Sequence, residues 1–325
     1  MDRSMATEFR PRDFIETSEG LIFAVVDAQL DEGRLTAYLR YLRVDDQLLK
    51  LSTQQAKAHL AEIDSDYVFF SRSRDTWVQA VPVSHISTHH VPRAKLAEIL
   101  KQEKRDATSE KLRRWCGWLA ERDVPIDQLG VTGSLLIGAQ NSESDLDVVC
   151  YDRGLFQRLR QLVAELQEQN LLQPLTPAQW RATYERRSPA LSFEAYHWHE
   201  RRKNTKALLD STRLDLSLVS PLRIRQADAK KLGRVTIQAK VTCDQAAFDF
   251  PSRWQVEHQT VDEIVCFSAT YSGQVFHGEW VEAAGALEKL GEQKYQLVVG
   301  ANREATGEFI RCMDERRGPR RPASI

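Results

Sequence analysis

The spacing of apolar residues changes twice along the chain, and those changes bound what it can fold into. From about Phe9 to Val91 the apolar residues come in short alternating or continuous blocks: Gly20-Leu21-Ile22-Phe23-Ala24-Val25-Val26, Leu35 to Leu42, Tyr67 to Phe70 and Trp77 to Val81. Blocks of this length and composition predict strands. Asp31-Glu32-Gly33 reads as the hairpin turn between the first two, and a helix near Thr53 to Glu62 interrupts the series. After Pro92 the spacing becomes helical, with Leu96, Ile99 and Leu100, then Leu112, Trp115, Cys116 and Leu119, then Leu155 through Leu166. Thr176-Pro177-Ala178-Gln179 combines a capping residue, a first-turn proline and a third-position glutamine, and so starts another helix. Strands are expected among these helices around Gly130 to Thr132, Leu146 to Tyr151 and Leu214 to Val219. From about Gly233 strand blocks return at 235–241, 264–268 and 295–299, and Gly273, Gly278, Gly285, Gly291, Gly300 and Gly307 are spaced like the bends of a strongly curved sheet.

The expectation is therefore an α+β chain in three parts and a tail. A mainly antiparallel β domain occupies 1–91, an α/β domain 92–226, a small OB-like β-barrel 227–312, and a basic flexible tail 313–325. A length of 325 residues suits two or three domains. With 42% hydrophobic and 28% charged residues the chain can bury real cores, which excludes long disordered tracts. Its 45 basic and 46 acidic residues nearly cancel, so any attraction to nucleic acid must come from a local patch. Leu21 to Val26, the longest apolar run near the start, is far short of the roughly 20 residues a membrane helix needs. Met1-Asp2-Arg3-Ser4 has no apolar signal region, so a cytoplasmic protein with no membrane partner is expected. Cys116, Cys150, Cys243, Cys266 and Cys312 form no Cys-x-x-Cys pair and read as reduced, mostly buried thiols.

The chemistry concentrates in Gly130-Val131-Thr132-Gly133-Ser134-Leu135-Leu136-Ile137-Gly138 and, beyond a short spacer, Asp145-Leu146-Asp147-Val148-Val149. Alternate strand residues share a face, so Asp145 and Asp147 point one way while Leu146 and Val148 enter a core. Two carboxylates on one strand face repel each other unless a divalent cation sits between them, and oxygen-only ligands suit Mg²⁺ or Mn²⁺. Gly133 and Ser134 precede an apolar segment able to open a helix, whose free N–H groups and a serine hydroxyl would cradle phosphate. Ten residues separate Ser134 from Asp145, enough for a short helix and a turn back to the metal strand.

Gly-Ser, a spacer of this length and Asp-x-Asp resemble the signature of the nucleotidyltransferase superfamily typified by DNA polymerase beta. That family takes a third carboxylate from a later strand, and Asp215 in Arg213-Leu214-Asp215-Leu216-Ser217-Leu218 matches it. The likeness covers roughly residues 108 to 220, and the flanks resemble an archaeal-type predicted nucleotidyltransferase group whose substrate is unassigned. It implies a central polymerase-beta-like domain that moves an NMP from an NTP, ATP among them, to an acceptor hydroxyl with release of pyrophosphate. It further implies a two-metal scheme with ions about 4 Å apart. Asp145 and Asp147 would ligate both ions, Asp215 the one that activates the hydroxyl, and Gly133 and Ser134 would hold the outer phosphates. Asp210, in Leu209-Asp210-Ser211, is the rival third carboxylate and is expected to cap or turn before the strand.

Arg201, Arg202, Lys203 and Lys206 lie just before the Asp215 strand, where they are expected to bind phosphate; if helical, Arg202 and Lys206 share a face. With the tail arginines Arg316, Arg317, Arg320 and Arg321 and the barrel, they make an RNA end the preferred acceptor. Transfer to a protein or a small molecule is the alternative, and a non-catalytic nucleic-acid-binding protein that keeps the fold is a second. His85 and His89 could pair on a helix, but Ile86, Thr88 and Pro92 favour an extended segment with a structural role. His197 and His199 are expected to pack beside the site. Trp254, Phe267, Tyr271, Phe276 and Trp280 are core residues or, less readily, base-stacking ones.

Overall fold

Strand alternation in the N-terminal part becomes one antiparallel sheet in the computed structural model, which describes residues 8–45, 47–63, 66–72, 76–103, 106–220, 229–292, 294–300 and 307–314. Its elements are β1 (Phe14–Thr17), β2 (Leu21–Asp31), β3 (Arg34–Val44), β4 (Gln47–Lys50), α1 (Thr53–Glu62), β5 (Val68–Ser71), β6 (Thr76–Pro82) and β7 (Ile86–His90). The strand order is β5-β6-β3-β2-β1-β7, with β4 also paired to β3. Asp31 pairs with Arg34, leaving Glu32 and Gly33 as a two-residue turn with φ of 49° and 75°. Positive φ at both positions gives the turn the hand that matches strand twist, which is why the expected hairpin forms there. A reciprocal cap between Ser52 and Gln55 starts α1, whose Ala56 and Leu60 join Ile15, Phe23, Leu35, Leu39 and Tyr67 in the core.

The middle of the chain follows as α2 (Pro92–Lys101), α3 (Ala107–Ala120), β8 (Leu129–Val131), α4 (Ser134–Ile137), β9 (Leu146–Cys150), α5 (Arg153–Glu168), α6 (Pro177–Arg187), α7 (Phe193–Arg202), β10 (Lys206–Leu209) and β11 (Thr212–Leu218). Strand β9 runs antiparallel to β8 and parallel to β11. A Cβ on Gly130 would meet Pro92 Cβ at 2.7 Å and the Arg93 nitrogen at 2.9 Å, so only glycine lets the first turn of α2 lie on β8. The capping box read at Thr176 and Gln179 is present at the start of α6.

The C-terminal strands are β12 (Ala229–Cys243), β13 (Ser252–Glu257), β14 (Glu263–Cys266), β15 (Trp280–Leu290), β16 (Lys294–Val299) and β17 (Phe309–Cys312). The order β12-β13-β14-β16-β15 returns to β12, so five strands close into a barrel and β17 pairs outside it on β15. Only the β14–β16 step of this ring is parallel. Trp254 is fully buried with its Nε1 donating to the Val275 carbonyl at 2.9 Å, and Tyr271 is buried with its hydroxyl donating to Glu308 O. These two aromatics are therefore interior, whereas Trp280 is 48% exposed.

The chain is thus α+β with several sheets and a closed five-stranded barrel in its C-terminal part. It groups into two compact units, Met1–Leu155 with Thr212–Ile224, and Phe156–Ser211 with Arg225–Ile325. The expected boundary at residue 92 falls inside the first unit, and the helices after residue 155 group with the barrel strands. The tail arginines Arg316, Arg317, Arg320 and Arg321 lie outside the described residues.

A Cβ at Gly285, where β15 meets β16, would come within 2.3 Å of the Val298 carbonyl oxygen. Backbone cannot yield there as a side-chain tip would, so Gly285→Ala should cost about 1–3 kcal/mol, the usual range for overpacking. Urea denaturation measures this, and an unchanged midpoint would mean that the barrel has slack at this bend.

Candidate metal and nucleotide site

Apolar alternation on two parallel strands sets the geometry. Leu146, Val148, Leu214 and Leu216 are buried, and the register pairs Leu214 with Leu146 and Asp215 with Asp147. Residues paired in parallel strands project to the same side, so Asp147 and Asp215 stand next to each other on one face. Asp145 directly precedes β9 and, two residues before Asp147, shares its side. Asp210 and Ser211, with φ of 46° and 68°, make the turn before β11, the role expected of Asp210.

Gly133 closes the other side of Asp147. Its φ is 68°, and a Cβ there would lie 2.4 Å from Asp147 Oδ2, so any other residue would be strained and would collide with the carboxylate. The Thr132 N–H donates to the Asp147 carbonyl at 2.9 Å, tying the glycine turn to β9. The helix expected at Ser134 is a single turn, ended by Gly138 in left-handed conformation. Ligand phosphate would therefore meet the N–H groups of a tight Gly-Ser turn and not the dipole of a full helix.

Burial is the main cause that pushes the Asp147 carboxyl up to about 6, with the charges of Asp215 and Asp145 adding to it and Arg12 and Arg213 opposing it. Arg213 donates through Nη2 to Asp215 Oδ2, yet Arg213 Nε and Asp215 Oδ1 are both buried without a hydrogen-bond partner. A buried acceptor without a donor is uncommon and costly. Among the described residues no three His, Cys, Asp or Glu side chains are already gathered around one point. The aligned carboxylates, the unmet Asp215 oxygen and an all-oxygen donor set nevertheless fit a hard divalent cation.

One residue at this site escaped the sequence. Arg12, in the turn before β1, has its carbonyl oxygen bonded by Thr132 Oγ1 at 2.7 Å across 120 residues of chain. The contact is long-range and the arginine belongs to no motif, so no local signal marks it. Tyr41 of β3, together with Phe14 and Ile22, packs on Leu136 of the Gly-Ser turn, so the N-terminal sheet supports the site directly.

The basic run fares differently from expectation. Arg201, Arg202, Lys203 and Lys206 belong to the second unit. Helix α7 stops at Arg202, Asn204 has φ of 50°, and Lys206 opens β10, so Arg202 and Lys206 share no helical face. Lys203 is buried on Glu200 and the Thr270 carbonyl, and Lys206 Nζ reaches Glu200 Oε2 at 2.6 Å. Burial pulls the Lys203 ammonium down to about 8 against the opposing pull of Glu200. Arg202 is bonded to Glu279, with its guanidinium over Trp198 at 4.4 Å and Phe276 at 4.6 Å. Three of the four cations thus serve as internal ties, while Arg201 is exposed.

Five of the histidines have partners within the protein. His89 and His90 lie in β7 in extended chain, with His89 Nε2 2.8 Å from Asp13 and His90 Nε2 3.1 Å from Glu16, whereas His85 ends a short 3-10 turn just before that strand, its Nδ1 3.3 Å from the Tyr67 hydroxyl. His197 stacks on Phe193. His199 donates from Nδ1 to the Ala195 carbonyl and accepts the Cys312 N–H at Nε2, 2.7 and 2.9 Å, and burial pushes it down to about 3, so it stays neutral.

Together the fold and site define an α+β chain whose most constrained polar feature is a carboxylate pair closed by a glycine turn. It is 31% identical over 334 residues, covering 93% of this chain and 98% of the relative, to the uncharacterized protein MJ1086 of Methanocaldococcus jannaschii, and it belongs to the same family. No family model and no solved structure matches it. No described helix is long and apolar enough to cross a membrane.

The electrostatics predict a pH dependence. Because Asp147 holds its proton more tightly when folded than its ordinary value of 3.8 allows, this stabilisation is complete below about pH 4 and is lost as pH rises through about 6. In chelator, Asp147→Asn should therefore raise the melting temperature at pH 7.5 and lose that advantage near pH 4. Equal shifts at both pH values would mean that Asp147 is not the strained carboxyl.

Proposed function

We propose that this protein is a divalent-metal-dependent nucleotidyltransferase whose central part is polymerase-beta-like. It moves an NMP from an NTP to an acceptor hydroxyl, most readily an RNA end. The observation that carries the reading is the Asp147–Asp215 pair across parallel strands, with Gly133 pressed against Asp147 so closely that no side chain fits between them. That is the arrangement which Gly-Ser, Asp-x-Asp and a later strand aspartate would produce.

Asp145, Asp147 and Asp215 are the residues that would hold Mg²⁺ or Mn²⁺. Bound there, the cation supplies charge neutralisation and a more acidic hydroxyl. Gly133 and Ser134 offer N–H groups and a hydroxyl to the outer phosphates. The bond between the α-phosphorus and the bridging oxygen breaks, pyrophosphate leaves, the acceptor oxygen takes its place and its proton passes to solvent. Little acid–base work falls to the protein, because position and charge stabilise the transition state.

The RNA acceptor rests on the barrel. Its closed five-stranded ring, with one parallel step between the third and fifth strands, supports the OB-like reading. On its outer face Lys240 pairs in register with the exposed Trp280, a cation beside a stacking surface. The cations buried in the second unit make a weaker argument for RNA than their sequence alone.

Incubation with each α-labelled NTP, Mg²⁺ or Mn²⁺, and cellular RNA and protein tests both points. Label should pass to RNA, and Asp145→Asn or Asp147→Asn should abolish transfer with the fold kept. Asp215→Asn should stop transfer while NTP binding persists, and Asp210→Asn should remain active. Label on protein or on a small molecule would move the acceptor; an Asp147→Asn variant within threefold of wild type would remove the site. RNA binding without any transfer would favour a binding protein that keeps the fold.

A further inference from the structure

The turn that carries Arg12 is built with unusual care. The Asp13 N–H donates to the Arg10 carbonyl at 3.1 Å, the Arg12 N–H to the Val25 carbonyl at 3.0 Å, and the Arg10 N–H to Asp13 Oδ2 at 2.9 Å. Asp13 is in turn held by His89 from β7. These ties keep Arg12 at φ of 79°, a left-handed conformation that glycine adopts readily and arginine seldom. Strain of this kind persists only where the surroundings enforce it, and it gathers at functional sites. Here the enforcing bond comes from the site itself: Thr132 Oγ1 grips the Arg12 carbonyl, and the next residue is the Gly133 that faces Asp147.

The side chain has the character the site needs. Arg12 is exposed and its charge acts on Asp147, as does that of the more deeply placed Arg213. A carboxylate cluster that takes a metal-bound triphosphate needs a solvent-facing donor for the phosphate oxygens, and a guanidinium offers two parallel N–H groups for that purpose. We infer that Arg12 binds a phosphate of the nucleoside triphosphate, so that the N-terminal sheet supplies part of the nucleotide site. This rests on the nucleotidyl-transfer reading above.

Arg12→Gly removes the guanidinium while suiting the backbone, and Arg12→Lys keeps the charge without the fork. In the full-length chain, Mn²⁺ binding alone is followed by the loss of the free-ion electron paramagnetic resonance signal, and NTP binding by equilibrium dialysis in Mn²⁺. Arg12→Gly should weaken NTP binding about tenfold or more, the usual effect of losing a charge-assisted hydrogen bond, and Arg12→Lys should recover part of it. Mn²⁺ alone should bind as well as to wild type or better, since a positive charge has left the carboxylates. An NTP affinity within twofold of wild type overturns the inference, as does a parallel loss of Mn²⁺ affinity, which would make Arg12 a structural prop. If the glycine variant does not fold, Arg12→Gln is judged by the same two criteria. Wild type that binds no NTP, together with Asp147→Asn that binds Mn²⁺ like wild type, overturns the transfer reading and this inference with it; an unaffected Arg12→Gly in a chain that binds NTP removes this inference alone.

Discussion

The first unit depends on the parallel pairing of β9 with β11. Leu146, Val148, Leu214 and Leu216 bury one side of the pair, and on the other side the same register forces Asp147 and Asp215 together. A one-residue slip of β11 would turn Asp215 into the core and Leu214 and Leu216 to water, so the hydrophobic effect that fixes the register also fixes the charge arrangement. The repulsion within the pair is the cost of that arrangement. It is opposed by burial of the apolar face, at about 1.5–3 kcal/mol per large side chain.

What the sequence made legible follows from the range of the interactions involved. The turn at Glu32-Gly33, the caps at Ser52 and Thr176 and the alternation around Asp147 and Asp215 are decided within a few residues, and they appear where local chemistry puts them. The short helix read at Ser134 is one turn long, because Gly138 ends it. The role of Arg12 was invisible, since the hydrogen bond that places it joins residues 120 apart. The basic run differs from its local reading for a related reason: Glu200 sits in the same run and binds both Lys203 and Lys206. Three of its four cations are engaged within the protein, and Arg201 alone of the four is exposed.

That network illustrates a general economy in the second unit. Burying Glu200 and Lys203 is expensive unless each is paired and its remaining hydrogen bonds are met. Both conditions hold, since Lys203 also donates to the Thr270 carbonyl and Lys206 reaches the second Glu200 oxygen. Arg202 is held differently, by Glu279 at Nη2 and by the nearby Trp198 and Phe276 rings, while its buried Nη1 has no hydrogen-bond partner. Together with the neutral His199 bridging Ala195 to the β17 backbone, these contacts tie α7 to the barrel strands through polar groups as much as through apolar ones.

The first unit is discontinuous in sequence: it takes Met1–Leu155, leaves the next stretch to the second unit, and resumes at Thr212. During synthesis, β8 and β9 leave the ribosome well before β11 exists, and at about 5–20 residues per second the intervening chain imposes a delay of some seconds. In that interval β9 lacks its parallel partner, so the growing chain carries an unpaired strand edge next to Leu146 and Val148. The order of elements also means that no N-terminal fragment ending before Asp215 carries all three carboxylates.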